Sequence, residues 1–212
     1  MVKDKMQRWL FFIFCIAGST LLAQPTDIEE IHLSIWKEGR LASVNSNIIA
    51  ASAEVVFKVD KAARRLTLLT KGLSLKSVEL REGRIKGALE WQQQDDSLFI
   101  QLPAGKRQTT TVKIDYEIDL ESESGTPFIQ QTEDVFAINA MNATTEMGMG
   151  IPGMWFPAVG GDSFKMKLNV TTKAEENIGF SGVQEYKVEL PNDLLAHFWK
   201  TEEEISPEDF YL

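Results

Sequence analysis

From about residue 27 onward, apolar and polar positions alternate with a period of two in segment after segment. Ile31, Leu33 and Ile35 alternate with Glu30, His32, Ser34 and Trp36. Val55, Phe57 and Val59 alternate with Glu54, Val56, Lys58 and Asp60, and Leu66, Leu68, Leu73 and Leu75 prolong the pattern. The alternation slips by one residue before Val78 and Leu80. Such a slip would send every later side chain to the wrong face, so it predicts a bulge or tight turn at Lys76-Ser77. Ile85, Leu89 and Trp91 predict one further strand, broken at Gly87. Asp95 and Asp96 read as turn residues leading into Leu98, Ile100 and Leu102, a strand that Pro103 ends. Val112, Ile114, Tyr116, Ile118 and Leu120 form the longest clean alternation. Further strands are expected from Phe164 to Val170, from Tyr186 to Leu190 and from Leu194 to Trp199. No window carries a convincing helical period. Short strands separated by turn signals predict an all-β, antiparallel sandwich or barrel in one domain.

The least generic stretch is Met154-Trp155-Phe156-Pro157-Ala158-Val159-Gly160-Gly161-Asp162-Ser163. Pro157 removes a backbone donor and fixes φ, Gly160 and Gly161 permit positive φ, and Trp155 and Phe156 supply a large apolar anchor. A corner is therefore expected here, feeding the strand that begins at Phe164.

Composition changes the picture in two ways. A length of 212 residues with 43% hydrophobic content allows a substantial core, and a net charge of −9 makes nucleic acid and anionic membranes poor partners. Residues 1–23 read as a signal peptide: Lys3, Lys5 and Arg8 precede an apolar run from Trp9 to Ala17, and Ala17, Gly18, Ser19 and Ala23 offer cleavage points. Cleavage after Ala23 would leave residues 24–212 as a domain exported to the periplasm or the extracellular space, with no stable membrane insertion. The alternative is a retained anchor helix, for which the run is short against a hydrocarbon core of about 30 Å. Cys15 is the only cysteine and lies in that run. The mature chain would thus hold no disulfide, thiolate nucleophile or Cys-ligated metal.

Three segments carry a resemblance. They are Leu66-Thr67-Leu68-Leu69-Thr70-Lys71-Gly72-Leu73-Ser74-Leu75-Lys76-Ser77-Val78, the Trp155-Phe156-Pro157 entry with its strand ending at Asn169-Val170-Thr171, and Thr144-Thr145-Glu146-Met147 upstream of that corner. With the order of strands, they resemble the N-terminal β domain of the aminopeptidase N family of zinc metallopeptidases, over nearly the whole mature chain. The resemblance implies a curved, saddle-like β sandwich that packs over a catalytic domain and closes one wall of its cleft. It further implies a substrate-binding role for Glu146, as the anchor of a peptide's free α-amine.

Departures from the family are equally specific. Ala158-Val159-Gly160-Gly161-Asp162 stands where the family has a Cys-Phe-Asp-Glu-Pro turn. Neither the His-Glu-x-x-His zinc helix nor the Gly-x-Met-Glu-Asn exopeptidase loop is present. The only histidines are His32 and His197, whereas catalytic zinc takes three protein ligands and a water. No catalytic residue, metal site or cofactor is therefore expected in this chain, which should not be an enzyme on its own. Zinc belongs to a catalytic domain, the expected partner together with peptide N-termini. The apolar end Phe210-Tyr211-Leu212 favours a truncated or split product, while the Gly160-Gly161 turn favours a diverged, free-standing module.

Other readings stay beside these. Glu146 is either the α-amine anchor or a solvated loop glutamate. Met141, Met147, Met149 and Met154 are either soft ligands for Cu(I) or packing residues. His32 and His197 are a metal pair or two strand-surface residues. Glu202, Glu203 and Glu204 with Glu208 and Asp209 are a Ca²⁺ site or, lacking a Ca²⁺ loop's alternation and turn glycine, a solvated loop. No serine has a nucleophile-elbow context. Asn142-Ala143-Thr144 and Asn169-Val170-Thr171 are glycosylation sequons only on a eukaryotic secretory route. A free-standing exported sandwich binding a protein or glycan partner would need exposed aromatics in a row. Trp36, Trp91 and Trp199 are the candidates, each expected to be buried.

Overall fold

The computed structural model describes residues 27–44, 48–59, 63–83, 85–103, 109–119, 129–131, 136–138, 155–210 and 212. Its strands are β1 (Asp27–Trp36), β2 (Ile48–Lys58), β3 (Arg65–Leu69), β4 (Leu73–Glu82), β5 (Ile85–Ala88), β6 (Trp91–Gln94) and β7 (Ser97–Gln101). They continue with β8 (Thr109–Asp119), β9 (Ile129–Gln131), β10 (Phe136–Ile138), β11 (Lys165–Lys173), β12 (Val183–Leu190) and β13 (Leu194–Lys200). The one helical element among the described residues is a 3-10 turn at Pro207–Asp209.

Eight strands form a large sheet in the order β12-β13-β11-β1-β2-β8-β4-β5, and β3-β7-β6 form a small one. β9 and β10 make a separate two-stranded ladder. The sheets are not closed into a barrel, and the architecture is the expected all-β sandwich. Among the described residues all pairings are antiparallel except one: β1 runs parallel to β11, with Glu30 opposite Lys165 and Trp36 opposite Thr171. Parallel neighbours need a long crossover, and the chain from β1 to β11 includes most of the other strands.

Alternation decides which face each side chain takes. Ile31, Leu33 and Ile35 of β1, Val55 and Phe57 of β2 and Val112, Ile114, Tyr116 and Ile118 of β8 are buried together with Leu66, Leu68, Leu98 and Ile100 of the small sheet. The predicted slip is present as a register shift between Leu75 and Ser77 against β8. Without it, Val78 and Leu80 would face water.

Three expectations fail locally. Ile85, Leu89 and Trp91 do not share a strand: β5 pairs with β4 in the large sheet, and β6 pairs with β7 in the small one. The chain crosses between layers at Leu89-Glu90, where Leu89 N–H donates to Val78 C=O at 3.0 Å and Glu90 C=O accepts from Gln101 N–H at 2.8 Å. β2 starts earlier than its pattern suggests, because Ala50-Ala51-Ser52-Ala53 has too little hydrophobic contrast to show a period. Trp91 lies on edge strand β6, where it is 37% exposed rather than buried.

The corner is packed into the core. Trp155 and Phe156 are 2% and 1% exposed and meet edge to face at 4.6 Å. Phe156, Phe164, Phe180 and Phe210 extend this contact into an aromatic cluster, with Phe164 and Phe210 stacked at 5.3 Å. Tyr116 is placed on the inner face by the β8 alternation, and its hydroxyl donates to the Trp155 carbonyl at 2.8 Å. Burial alone pushes that phenol well above its ordinary range, so it stays a donor at any physiological pH. Tyr116→Phe removes the donor and strands a buried carbonyl, so it should cost about 1–3 kcal/mol by urea denaturation at unchanged m-value.

Candidate functional site

Pro157-Ala158 joins the two sheets. Ala158 bridges the end of β3, its N–H donating to Leu69 C=O at 3.2 Å and its C=O accepting from Leu69 N–H at 2.7 Å. A turn follows in which Asp162 N–H returns to Val159 C=O at 3.4 Å. Gly161 sits at φ +74° there, and it alone of the glycine pair needs the left-handed region. Asp162 was not singled out by sequence reasoning. Its carboxylate accepts from Ile28 N–H at 2.8 Å and Ser163 N–H at 2.9 Å, which ties the start of β1 to the corner. The turn therefore has a polar role of its own. An acid directly after Gly-Gly was the available signal, since Asp accepts well from turn amides.

The other candidate surface is the outer face of the large sheet, which opens into a groove of about 630 Å³ lined by residues of β1, β2, β4 and β8. Opposite charges two residues apart share this face and pair there. Lys113 meets Asp115 at 2.7 Å, and Arg81 meets Glu79 at 2.7 Å. Glu30 accepts from His32 Nε2 at 2.7 Å and from Lys167 Nζ at 2.9 Å. Burial pushes the Glu30 carboxyl up, but the bonds from His32 and Lys167 and their charges outweigh it and hold the group low. Asp115 shows the same balance: burial raises it, and bonds from Lys113, Ser52 and Ser77 bring it below the usual carboxylate range. Lys-x-Asp, Glu-x-His and Glu-x-Arg at strand period were the sequence signal for these pairs. A face of paired charges, open to water, suits weak recognition better than bond-making chemistry.

His32 and His197 are not brought together. His32 lies on the outer face of β1 beside Glu30, whereas His197 of β13 is buried rather than on a surface as expected. The reason is register: His197 pairs with Val170, whose side chain faces the core. Its ring is satisfied as a neutral imidazole. Nδ1 accepts from the Gln184 amide at 3.4 Å, and Nε2–H donates to Thr172 Oγ1 at 3.3 Å, whose hydroxyl in turn donates to Lys173 C=O. Burial lowers its pKa, the Lys187 charge adds to the effect, and Glu176 opposes both.

The family's zinc does not fit these residues. The two imidazoles are committed to separate partners, and among the described residues no group of three or more His, Cys, Asp or Glu side chains is placed to hold a metal ion. Glu202, Glu203 and Glu204 are exposed. Asp95 is in the turn predicted for it, with φ 51°. No helix of the described residues is long and apolar enough to cross a membrane. Glu146, Cys15, the sequon at Asn142, and Met141, Met147, Met149 and Met154 lie outside the described residues.

No family model matches the sequence, and no curated protein matches it. Solved structures do. The M1 zinc metallopeptidase from Deinococcus radiodurans superposes with a TM-score of 0.70 at 13% identity, over 89% of this chain and 42% of that one. The fold is shared with M1 zinc metallopeptidases. A mutant of the same Deinococcus enzyme bound to a Tyr-Ser-Ala substrate gives 0.67 at 14% identity, over 88% and 41%. Legionella pneumophila aminopeptidase A, in complex with aspartic acid, gives 0.66 at 16% identity, over 91% and 22%. At such identities the likeness to the M1 enzymes is one of fold. This chain spans less than half the length of these neighbours, a share in keeping with their N-terminal β domain.

The corner and the buried imidazole each generate an expectation. No atom lies within 4 Å of a Cβ added at Gly161, so Gly161→Ala meets only the φ penalty and should cost about 1–2 kcal/mol in chemical denaturation. His197 is neutral when folded, whereas the unfolded chain binds a proton below about pH 6.5. Its contribution is complete above that value and is lost as pH falls through the depressed folded pKa. Urea midpoints at pH 7.5 and 5.5 should therefore separate more in the native chain than in His197→Gln.

Proposed function

We propose that residues 24–212 form the non-catalytic β domain of an aminopeptidase N-type metallopeptidase system, one wall of a cleft whose zinc-bearing catalytic domain lies outside these residues. The observation that carries the reading is the coverage: nearly all of this chain matches well under half of each M1 neighbour. It accords with a sequence that lacks His-Glu-x-x-His. The ligand class is a peptide with a free N-terminus. One M1 neighbour is bound to such a peptide, Tyr-Ser-Ala, and Glu146 supplies the carboxylate that receives the α-ammonium. The three tryptophans do not form a row. Trp36 is on the outer face of β1, Trp199 packs inward near Phe180, and Trp91 is on the small sheet, so no observation favours a glycan platform.

Export belongs to the same reading, with residues 1–23 removed as a signal peptide and the domain working in the periplasm or outside the cell. Intact-mass analysis of secreted protein should then give Gln24 as the first residue.

The decisive experiment pairs the chain with a catalytic metallopeptidase domain and follows hydrolysis of a short peptide. A charge-assisted bond from Glu146 is worth about 1.5–3 kcal/mol, so Glu146→Ala should raise KM about ten- to hundredfold for a free N-terminus. An N-acetylated peptide should not register the change. An unaltered KM removes the role of Glu146, and a chain that neither associates with a catalytic domain nor alters its kinetics removes the wider proposal.

A further inference from the structure

β12 is an outer strand of the large sheet, paired among the described residues only with β13. Its free edge therefore presents unpaired backbone groups, which natural sheets normally blunt with charge or cover. The exposed large apolar side chains among the described residues are Leu41, Val44, Trp91, Val183, Tyr186, Val188 and Leu190, and the last four all lie on β12. Tyr186, Val188 and Leu190 share one face, and Tyr186 stacks on Phe198 of β13 at 4.4 Å. An apolar row beside an open backbone edge is the arrangement that accepts another strand.

The open stretch has defined ends. At one end the register shifts between Gln184 and Tyr186. At the other, Pro191 lacks an N–H and opens the turn in which Asn192 and Asp193 take φ 66° and 54°. Regular edge therefore runs from Tyr186 to Leu190. A segment pairs completely with an antiparallel copy of itself only about its middle residue, here Val188. In that register Tyr186 stands opposite Leu190 of the second copy, Val188 opposite Val188, and Lys187 opposite Glu189, each unlike pair occurring twice by symmetry. Glu185 is already paired with Lys200 at 2.7 Å, whereas neither Lys187 nor Glu189 is in an ion pair among the described residues. A shift of the axis to Lys187 sets Lys187 against Lys187 and Glu185 against Glu189, so charge excludes that alternative.

We infer that β12 is a self-association edge, joining two copies of this chain in an antiparallel, two-fold ladder centred on Val188. The isologous contact continues one large sheet into the other and sets the two apolar rows side by side. It is independent of any catalytic partner and of Glu146.

Sedimentation equilibrium on the full chain over about 1–100 µM tests it. The native chain should dimerise. Lys187→Glu and Glu189→Lys should each weaken the dimer about tenfold or more, since each turns both ion pairs into repulsions. The double variant carrying both swaps should regain native affinity, because it rebuilds both pairs reversed. Val188→Lys, which faces two ammonium groups at the axis, should also dissociate it, and circular dichroism establishes that each variant is folded. A monomeric native chain overturns the inference. So does a dimer indifferent to the single swaps, a double variant that stays monomeric, or a dimer that survives Val188→Lys.

Discussion

The buried aromatic cluster at Trp155, Phe156, Phe164 and Phe210 is the constraint on which the two-layer structure depends. Each of these rings buries roughly 150–250 Å², and together they occupy the place where the chain leaves the small sheet and enters the large one. Ala158 holds the β3 side of that passage and Phe164 the β11 side, while Tyr116 reaches from the middle of β8 to satisfy the carbonyl of Trp155. Apolar burial sets the distance between the layers, and the directed bonds set their registration. A face of Val, Ile and Leu alone would hold the sheets together without choosing how they sit.

The same pleat produces the opposite chemistry on the outer face. There the alternation leaves Glu30, His32, Lys113, Asp115, Glu79 and Arg81, which pair with one another along their strands. Exposed pairs of this kind contribute little to stability, but they keep a broad sheet face soluble and leave few unpaired charges. Among the described residues neither histidine joins a metal set. A fold shared with metallopeptidases does not itself confer catalysis.

The edge at β12 departs from this economy. Elsewhere on the large sheet many charges have a partner within the chain, Lys113 with Asp115 and Arg81 with Glu79 among them, and large apolar side chains are mostly covered. On β12 an apolar row and two charges without an ion pair occur together beside an open backbone edge. Four exposed large apolar side chains on one edge strand call for a partner, and the self-complementary spacing of Lys187 and Glu189 identifies one.

Much of this was legible along the chain. The face taken by Ile31, Phe57, Ile114 and Tyr116, the bulge beside Ser77, the turn at Asp95 and the burial of Trp155 and Phe156 all follow from local rules: a period of two, a slip in that period, turn chemistry, and aromatic bulk beside proline. Such rules need no knowledge of distant residues. What only the tertiary structure decided was partnership. Whether β1 lies parallel to β11, whether Trp91 belongs with Leu89 or across the layer from it, and whether His197 meets water or Thr172 depend on which strand arrives alongside and which layer lies above. Alternation states that a strand has two faces; the strands that come to cover them decide which of the two is dry.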